Sequence, residues 1–261
     1  MGSNSNLLAA ESEAQRQIEL RLGRLVTLAD QMSSLFERAI DVVAKHPRPG
    51  TTTVAATKVC LILAARVAND FRVCSIASHL GYGLQAMGLA ATMVEVVGAL
   101  SYVGNSESRA LEWAEHTDRR KTYPRRVSDG IDAALTALGI TEPAARDQWQ
   151  HVYASLCMAK HANPLLSMQQ GLRILSDGAY FVCGPDASHL GVNMSCFALY
   201  HAVGFGSAAL YVFAKSCSDE ELQAQLCNEG EKMRDQLRDL EPFLADLMTA
   251  PPTRLPKSRP N

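Results

Sequence analysis

The sequence predicts an all-α protein, a single-domain bundle of about seven or eight helices. Long segments repeat apolar residues with a period near 3.6, and Pro or Gly turn signals divide these segments. The 261 residues are 47% hydrophobic and 20% charged, which is typical of a globular chain with a large core. We expect the bundle to span residues 1–250, with a proline-containing disordered tail at 251–261.

Three long helices are predicted in the first part of the chain, at 7–45, 54–79 and 84–103. Proline at positions 47 and 49 ends the first of these, because proline disfavours helix at its own position and at the preceding residue. The third is rich in glycine and alanine, so we expect neighbouring helices to approach it closely.

Shorter helices are predicted at 108–121, 125–138, 141–161 and 167–176, followed by long ones at 187–214 and 218–248. Ser106, Thr141 and Ser218 are the expected N-caps, since a hydroxyl accepts a hydrogen bond from a free backbone N–H of the first turn. The run 180–183 is β-like but too short to indicate a sheet.

The segment 187–214 contains no Asp, Glu, Lys or Arg and is long enough to cross a bilayer. Asn193, Ser195 and His201 argue against a lipid-facing helix, because lipid leaves polar groups unsatisfied. A core helix that is apolar on all sides has the same composition, and we assign Tyr200 and Phe205 to that core. We therefore expect a buried core helix, with a membrane-associated protein as an alternative.

Charge and cysteine content favour a cytoplasmic protein. The net charge is -2, which does not favour general electrostatic binding to nucleic acid. Residues 1–6 lack the basic and apolar regions of a secretory signal. The seven cysteines are odd in number and form no C-x-x-C pair, so we expect free thiols and no zinc site; they are Cys60, Cys74, Cys157, Cys183, Cys196, Cys217 and Cys227.

The common catalytic and cofactor motifs are absent. The chain has no P-loop, no dinucleotide glycine fingerprint, no G-x-S-x-G and no H-E-x-x-H. No Glu is followed by His three residues later, which argues against a di-iron carboxylate site. We therefore expect no cofactor and no metal.

Arg72 and His79 form the first candidate catalytic pair. Their Arg-x6-His spacing resembles the R-x4-6-H pattern of the HEPN ribonucleases. That resemblance implies metal-independent RNA cleavage, in which the Arg stabilises the charged phosphate and the His moves a proton. Val73 stands where that family usually has a polar residue. The alternative is a surface Arg and a His at the end of a helix.

Glu95 and His161 form the second candidate pair. Glu95 lies in an apolar helix, where a carboxylate is costly unless it is paired. His161 ends a later helix, so the two residues could meet between helices. The alternatives are an active site and a structural pair, and we favour the structural pair.

The helix at 78–95 resembles one in a large group of uncharacterised bacterial all-α proteins, with the pattern G-x-x-x-A-x-x-L-x-R-x-x-x-E. A second helix of that group carries Y-x-x-L-S-x-x-x-H, and the matching positions here are Tyr153, Leu156, Cys157 and His161. The resemblance covers roughly residues 55–200 and implies the same fold. Ala91 replaces the expected Arg and Cys157 replaces Ser, which implies that part of any Arg–Glu–His site is lost.

Two charged surfaces remain. A basic cluster could contact RNA, or it could be a solvated helix end offset by nearby carboxylates; its members are Arg119, Arg120, Lys121, Arg125 and Arg126. A second group could suggest a metal site, although an exposed charged face explains it better; it comprises Glu112, Glu115, His116 and Asp118.

The sequence thus favours a helical protein that acts by binding a partner or by forming a homodimer. The alternatives are a HEPN-like ribonuclease of the toxin or defence type and a membrane-associated protein.

Overall fold

The chain folds as the predicted all-α bundle. The computed structural model describes residues 3–50, 55–118, 122–161, 172–175, 178–181 and 184–248. These residues form eight helices and one hairpin. In chain order they are α1 (Ser3–Lys45), α2 (Ala56–His79), α3 (Gly83–Val103), α4 (Glu107–Glu115), α5 (Val127–Ala137), α6 (Pro143–Lys160), β1 (Leu172–Leu175), β2 (Gly178–Phe181), α7 (His189–Ala214) and α8 (Glu220–Leu244). The predicted tail at 251–261 lies outside the described residues.

Helix α7 occupies the centre of the bundle and packs against α1, α2, α3 and α8. Burial on so many sides leaves few positions where a charged side chain would reach water, which accounts for its uncharged sequence. Both α3 and α7 are long and apolar enough to cross a membrane, but 67% and 78% of their most apolar windows are buried inside the bundle. Core helices that are mostly buried have this composition as well.

Small residues on α3 permit the close packing that the sequence predicted. A Cβ atom on Gly98 would lie 3.0 Å from the Cα of Gly130 in α5. A Cβ atom on Gly83 would lie 2.7 Å from the backbone nitrogen of Ser195 in α7. Real Cβ contacts are longer than this, so larger side chains here would push the helices apart.

Two of the three predicted N-caps are wrong by one residue. Ser106 caps α4 as predicted, accepting a hydrogen bond from the Arg109 backbone. Glu142, rather than Thr141, occupies the N-cap of α6, because Pro at the following position already fixes the first turn. Asp219, rather than Ser218, caps α8, and its carboxylate accepts hydrogen bonds from two backbone N–H groups. A carboxylate is favoured there, since it also interacts with the positive end of the helix dipole.

The helix predicted at 167–176 is wrong over Leu172–Leu175, which is strand β1. It pairs antiparallel with β2, with Leu172 opposite Phe181 and Leu175 opposite Gly178. The β-like run at 180–183 therefore belongs in part to a two-stranded sheet, contrary to our expectation. The sequence Ser176-Asp177-Gly178 favours a turn, and this is the hairpin signal that the helical interpretation overlooked.

Candidate functional site in a cleft between α6 and α8

Arg72 and His79 bind two different carboxylates. Arg72 Nη1 lies 3.4 Å from Glu37 Oε1, and His79 Nε2 lies 3.1 Å from Glu19 Oε1. Both carboxylates belong to α1, so these contacts join α2 to α1 at two separate points. The structure does not bring the two side chains together on one common group. The ribonuclease pairing therefore stays a prediction, and it requires both side chains to leave these carboxylates.

Glu95 does join α3 to α6, but through Tyr153 and Lys160. Its carboxylate accepts hydrogen bonds of 2.7 Å from the Tyr153 hydroxyl and the Lys160 ammonium. The Glu95 side chain is only 17% exposed, so this pairing offsets the cost of its burial. Burial, followed by the contacts with Cys157 and Glu95, raises the pKa of Tyr153, which keeps this hydroxyl protonated. His161 lies at the exposed C-cap of α6, outside this hydrogen-bonded group.

The predicted basic cluster is described only in part. Arg119, Arg120 and Lys121 lie outside the described residues, whereas Arg125 and Arg126 are exposed just before α5. Arg125 lines a cavity of about 520 Å³ together with four carboxylates, which are those of Glu112, Glu115, Asp118 and Asp129. These carboxylates offset the charge of Arg125, which favours a solvated surface over a nucleic-acid site. Within the described chain, no three His, Cys, Asp or Glu side chains are grouped to hold a metal ion.

A different site lies between α6 and α8. Helix α6 packs against α3 and α5, whereas α8 packs against α7 and α1. The gap between them is a cleft of about 260 Å³ with α7 as its floor. Aromatic and aliphatic side chains from all three helices form most of its wall; they include Trp149, Val152, Phe205, Ala208 and Leu237. Apolar walls with a few polar groups are the usual composition of small-molecule sites.

His201 is the polar group on the floor of this cleft. Its ring packs edge-on against Phe197, with centroids 4.5 Å apart, and stacks against Phe205 at 6.1 Å. Burial lowers the pKa of His201 to about 4, so the imidazole is neutral at neutral pH. A neutral imidazole has one N–H donor and one nitrogen acceptor. Neither nitrogen is hydrogen-bonded to any residue in the described part of the chain.

Charged side chains of α8 form the rim. Arg234 lines the cleft, its Nε is buried without a hydrogen-bond partner, and it has no ion-pair partner among the described residues. The neighbouring Arg238 lies 3.4 Å from Asp235 and is well exposed. The Tyr200 hydroxyl donates to Glu241, and burial together with this carboxylate raises the pKa of Tyr200. Arg234 is therefore the rim guanidinium that has no ion pair or hydrogen bond with the described residues.

Sequence reasoning did not identify this site. It assigned Tyr200 and Phe205 to the core and used His201 only as an argument against a membrane span. The available signal was His201 in the middle of a long uncharged helix, but the sequence alone does not show whether that histidine faces a neighbour or a cavity. Arg234 carries no signal, because it is one of many charged residues on an amphipathic helix.

The nearest cysteine of α7 to the cleft residue Tyr200 along the chain is Cys196, and burial raises the pKa of its thiol to about 12, so the thiol is protonated at neutral pH. Comparison of the chain with protein-family models, curated proteins and solved structures gives no match. The functional argument therefore rests on the geometry of the cleft.

Proposed function

We propose that this protein is a binding protein that takes a small, largely apolar molecule into the cleft between α6 and α8. The observation that carries the proposal is His201, a neutral imidazole on an aromatic floor, with both ring nitrogens free of hydrogen bonds to the described residues. His201 is part-exposed and borders the cleft, so a molecule that enters the cleft can reach its ring nitrogens. A bound molecule would supply a hydrogen-bond partner for them and cover the apolar walls.

The dimensions of the cleft limit the ligand. Its volume of about 260 Å³ is slightly below the roughly 300–1,000 Å³ of sites for drug-sized molecules. Trp149 and Phe205, with ring centroids 5.2 Å apart, form an aromatic corner in its wall. A flat molecule of one or two rings fits both the size and the aromatic lining.

Filling the cleft tests the proposal. Gly204 lies on the floor, and a Cβ there would have only Leu237 Cδ2 within 4 Å, at 3.7 Å. Gly204→Leu should therefore occupy the cleft without forcing the backbone to move. We expect single-ring compounds, tested as a neutral, cationic and anionic panel by ligand-observed NMR, to bind the wild type and not this variant.

The matched control is Gly23→Leu, the same change on α1, where a Cβ would have nothing within 4 Å. It should bind the panel as the wild type does. Failure of every compound to bind the folded wild type, or equal binding by Gly204→Leu, would refute the proposal.

Self-association is the second candidate function, and one surface favours it. Ile62, Val73 and Ile76 are 56%, 51% and 51% exposed on α2. With Arg66 and Asn69, which are also exposed, they are spaced alternately four and three residues apart, as in the seam of a coiled coil. We expect Ile76→Lys to convert a dimer to a monomer in light scattering, and Leu20→Lys on the exposed face of α1 to leave it unchanged. A wild-type monomer at high concentration would exclude this dimer.

A further inference from the structure

The polar rim of the cleft indicates what kind of molecule it binds. We propose that the ligand carries a single carboxylate, which binds Arg234, and an apolar ring system, which lies on the floor formed by α7. This inference rests on the proposed binding function and adds the chemical class of the ligand.

The charges around the cleft lead to this choice. Of its three charged side chains, Arg238 is close to Asp235, and Glu241 accepts a hydrogen bond from Tyr200. Arg234 has neither an ion pair nor a hydrogen-bond partner for its buried Nε within the described chain. The Tyr200 hydroxyl is neutral, so Glu241 keeps its negative charge, and Arg234 is the cationic group of the cleft that has no partner within the described residues. A single carboxylate on the ligand would supply that partner.

A carboxylate fits Arg234 better than a more highly charged group does. The planar guanidinium can donate two parallel hydrogen bonds to the two oxygens of a carboxylate. A phosphate monoester would bring up to two negative charges into a cleft whose wall also contains the Glu241 carboxylate. Repulsion from Glu241 increases with the negative charge of the ligand, so a monoanion is favoured over a dianion.

The apolar part of the ligand has its own contacts. The rings of Trp149 and Phe205 meet nearly edge to face, at 67°, and leave an aromatic surface beside the imidazole of His201. Because that imidazole is neutral, it can donate a hydrogen bond to the ligand without adding charge. The negative group is therefore assigned to Arg234 on α8, at the rim, and the ring to the floor.

Isothermal titration calorimetry with phenylacetate and phenylacetamide tests the inference on the full chain. The two probes have nearly the same shape, but only phenylacetate is charged. We expect phenylacetate to bind at least about tenfold more tightly, because hydrogen bonds to charged groups are the stronger ones. Arg234→Gln should remove this preference and leave the weaker amide binding in place. The control Lys232→Gln removes a positive charge from an exposed position of α8 outside the cleft, and it should change either affinity by less than about twofold.

The outcomes separate this inference from the proposed function. If the two probes bind with equal affinity and Gly204→Leu abolishes that binding, the carboxylate assignment is overturned. Small-molecule binding in the cleft then remains supported. Equal losses in the Arg234→Gln and Lys232→Gln variants would overturn the assignment to Arg234. No binding of either probe, or of any other ring compound, would overturn both proposals. If Arg234→Gln does not fold, the comparison of acid and amide in the wild type decides the question.

Discussion

The two sides of α7 have similar sequences but different surroundings. On one side, α3 approaches so closely that a Cβ on Gly83 would overlap the backbone of Ser195. On the other side, His201, Gly204, Phe205 and Ala208 repeat along one helix face and border an open cleft. The absence of charge on α7 thus has two separate causes, tight packing on one face and an apolar cavity floor on the other.

This difference shows that hydrophobicity alone does not distinguish a packed face from a binding face. A packed face differs from a binding face in that another helix fills the space next to it. Helices α6 and α8 each pack on other partners, and this leaves the space between them open. The predictions below test that contrast, beginning with the largest expected effect.

Truncation of the packed face should be the most destabilising change. Leu199 is fully buried, and Leu199→Ala should reduce the free energy of unfolding by about 2–5 kcal/mol, because it removes buried methyl groups and leaves a void. Urea denaturation followed by circular dichroism measures this. Gly204→Leu on the cleft face should change stability by less than about 1 kcal/mol, since leucine is also the better helix former. Equal destabilisation by the two variants would mean that the cleft is not open.

Acid should destabilise the protein through the cleft face. Burial lowers the pKa of His201 from 6.5 to about 4, so protons bind the unfolded chain more readily than the folded one. The contribution of neutral His201 to the free energy of unfolding is therefore fully present above about pH 6.5 and is lost as the pH falls towards 4. We expect the free energy of unfolding to fall by about 2 kcal/mol between pH 7 and pH 5 for this reason. Urea denaturation at both pH values measures it.

The variant His201→Gln should show a pH dependence of stability that is weaker by that amount. The control His151→Gln replaces an exposed histidine on α6 and should retain the wild-type dependence. If His201→Gln and wild type lose stability in parallel, the imidazole is not held neutral by burial.

The contact between α3 and α6 is tightly packed, like the α3 side of α7, but it also contains a charged pair. Lys160→Met should lower stability by about 1–3 kcal/mol, since it leaves the mostly buried Glu95 carboxylate without its ammonium partner. His161→Ala should change stability by less than about 0.5 kcal/mol, because His161 is exposed and does not bind Glu95. Thermal unfolding of both variants measures the difference. The reverse order would restore the predicted Glu95–His161 pair.

The smallest expected effect is on RNA. A binding protein should not cleave RNA in the presence of EDTA, and Arg72→Ala and His79→Ala should behave as the wild type does. Gel analysis of a structured RNA incubated with each protein measures this. Cleavage by the wild type that both substitutions abolish would instead establish the HEPN-like ribonuclease and replace our proposal.

The amino-acid sequence by itself determined the helical class and most of the helix positions. Apolar residues that repeat every 3.6 positions, together with Pro and Gly stops, act within a few turns of chain, so local physics is sufficient for them. The local sequence also showed that Glu95 lies in an apolar helix, so it could be recognised as a carboxylate that needs a partner. The hairpin at Leu172–Phe181 was missed because two short apolar runs fit a helix as well as a pair of strands.

Only the tertiary structure decided which residues meet. The choice of Tyr153 and Lys160 as partners of Glu95, rather than His161, depends on the rotation of α6 against α3. The cleft forms because α6 packs on α3 and α5 whereas α8 packs on α7 and α1. His201 and Arg234 lie far apart in sequence, and nothing local links them. Sequence periodicity shows which face of a helix is apolar, whereas helix packing decides whether that face meets another helix or a cavity.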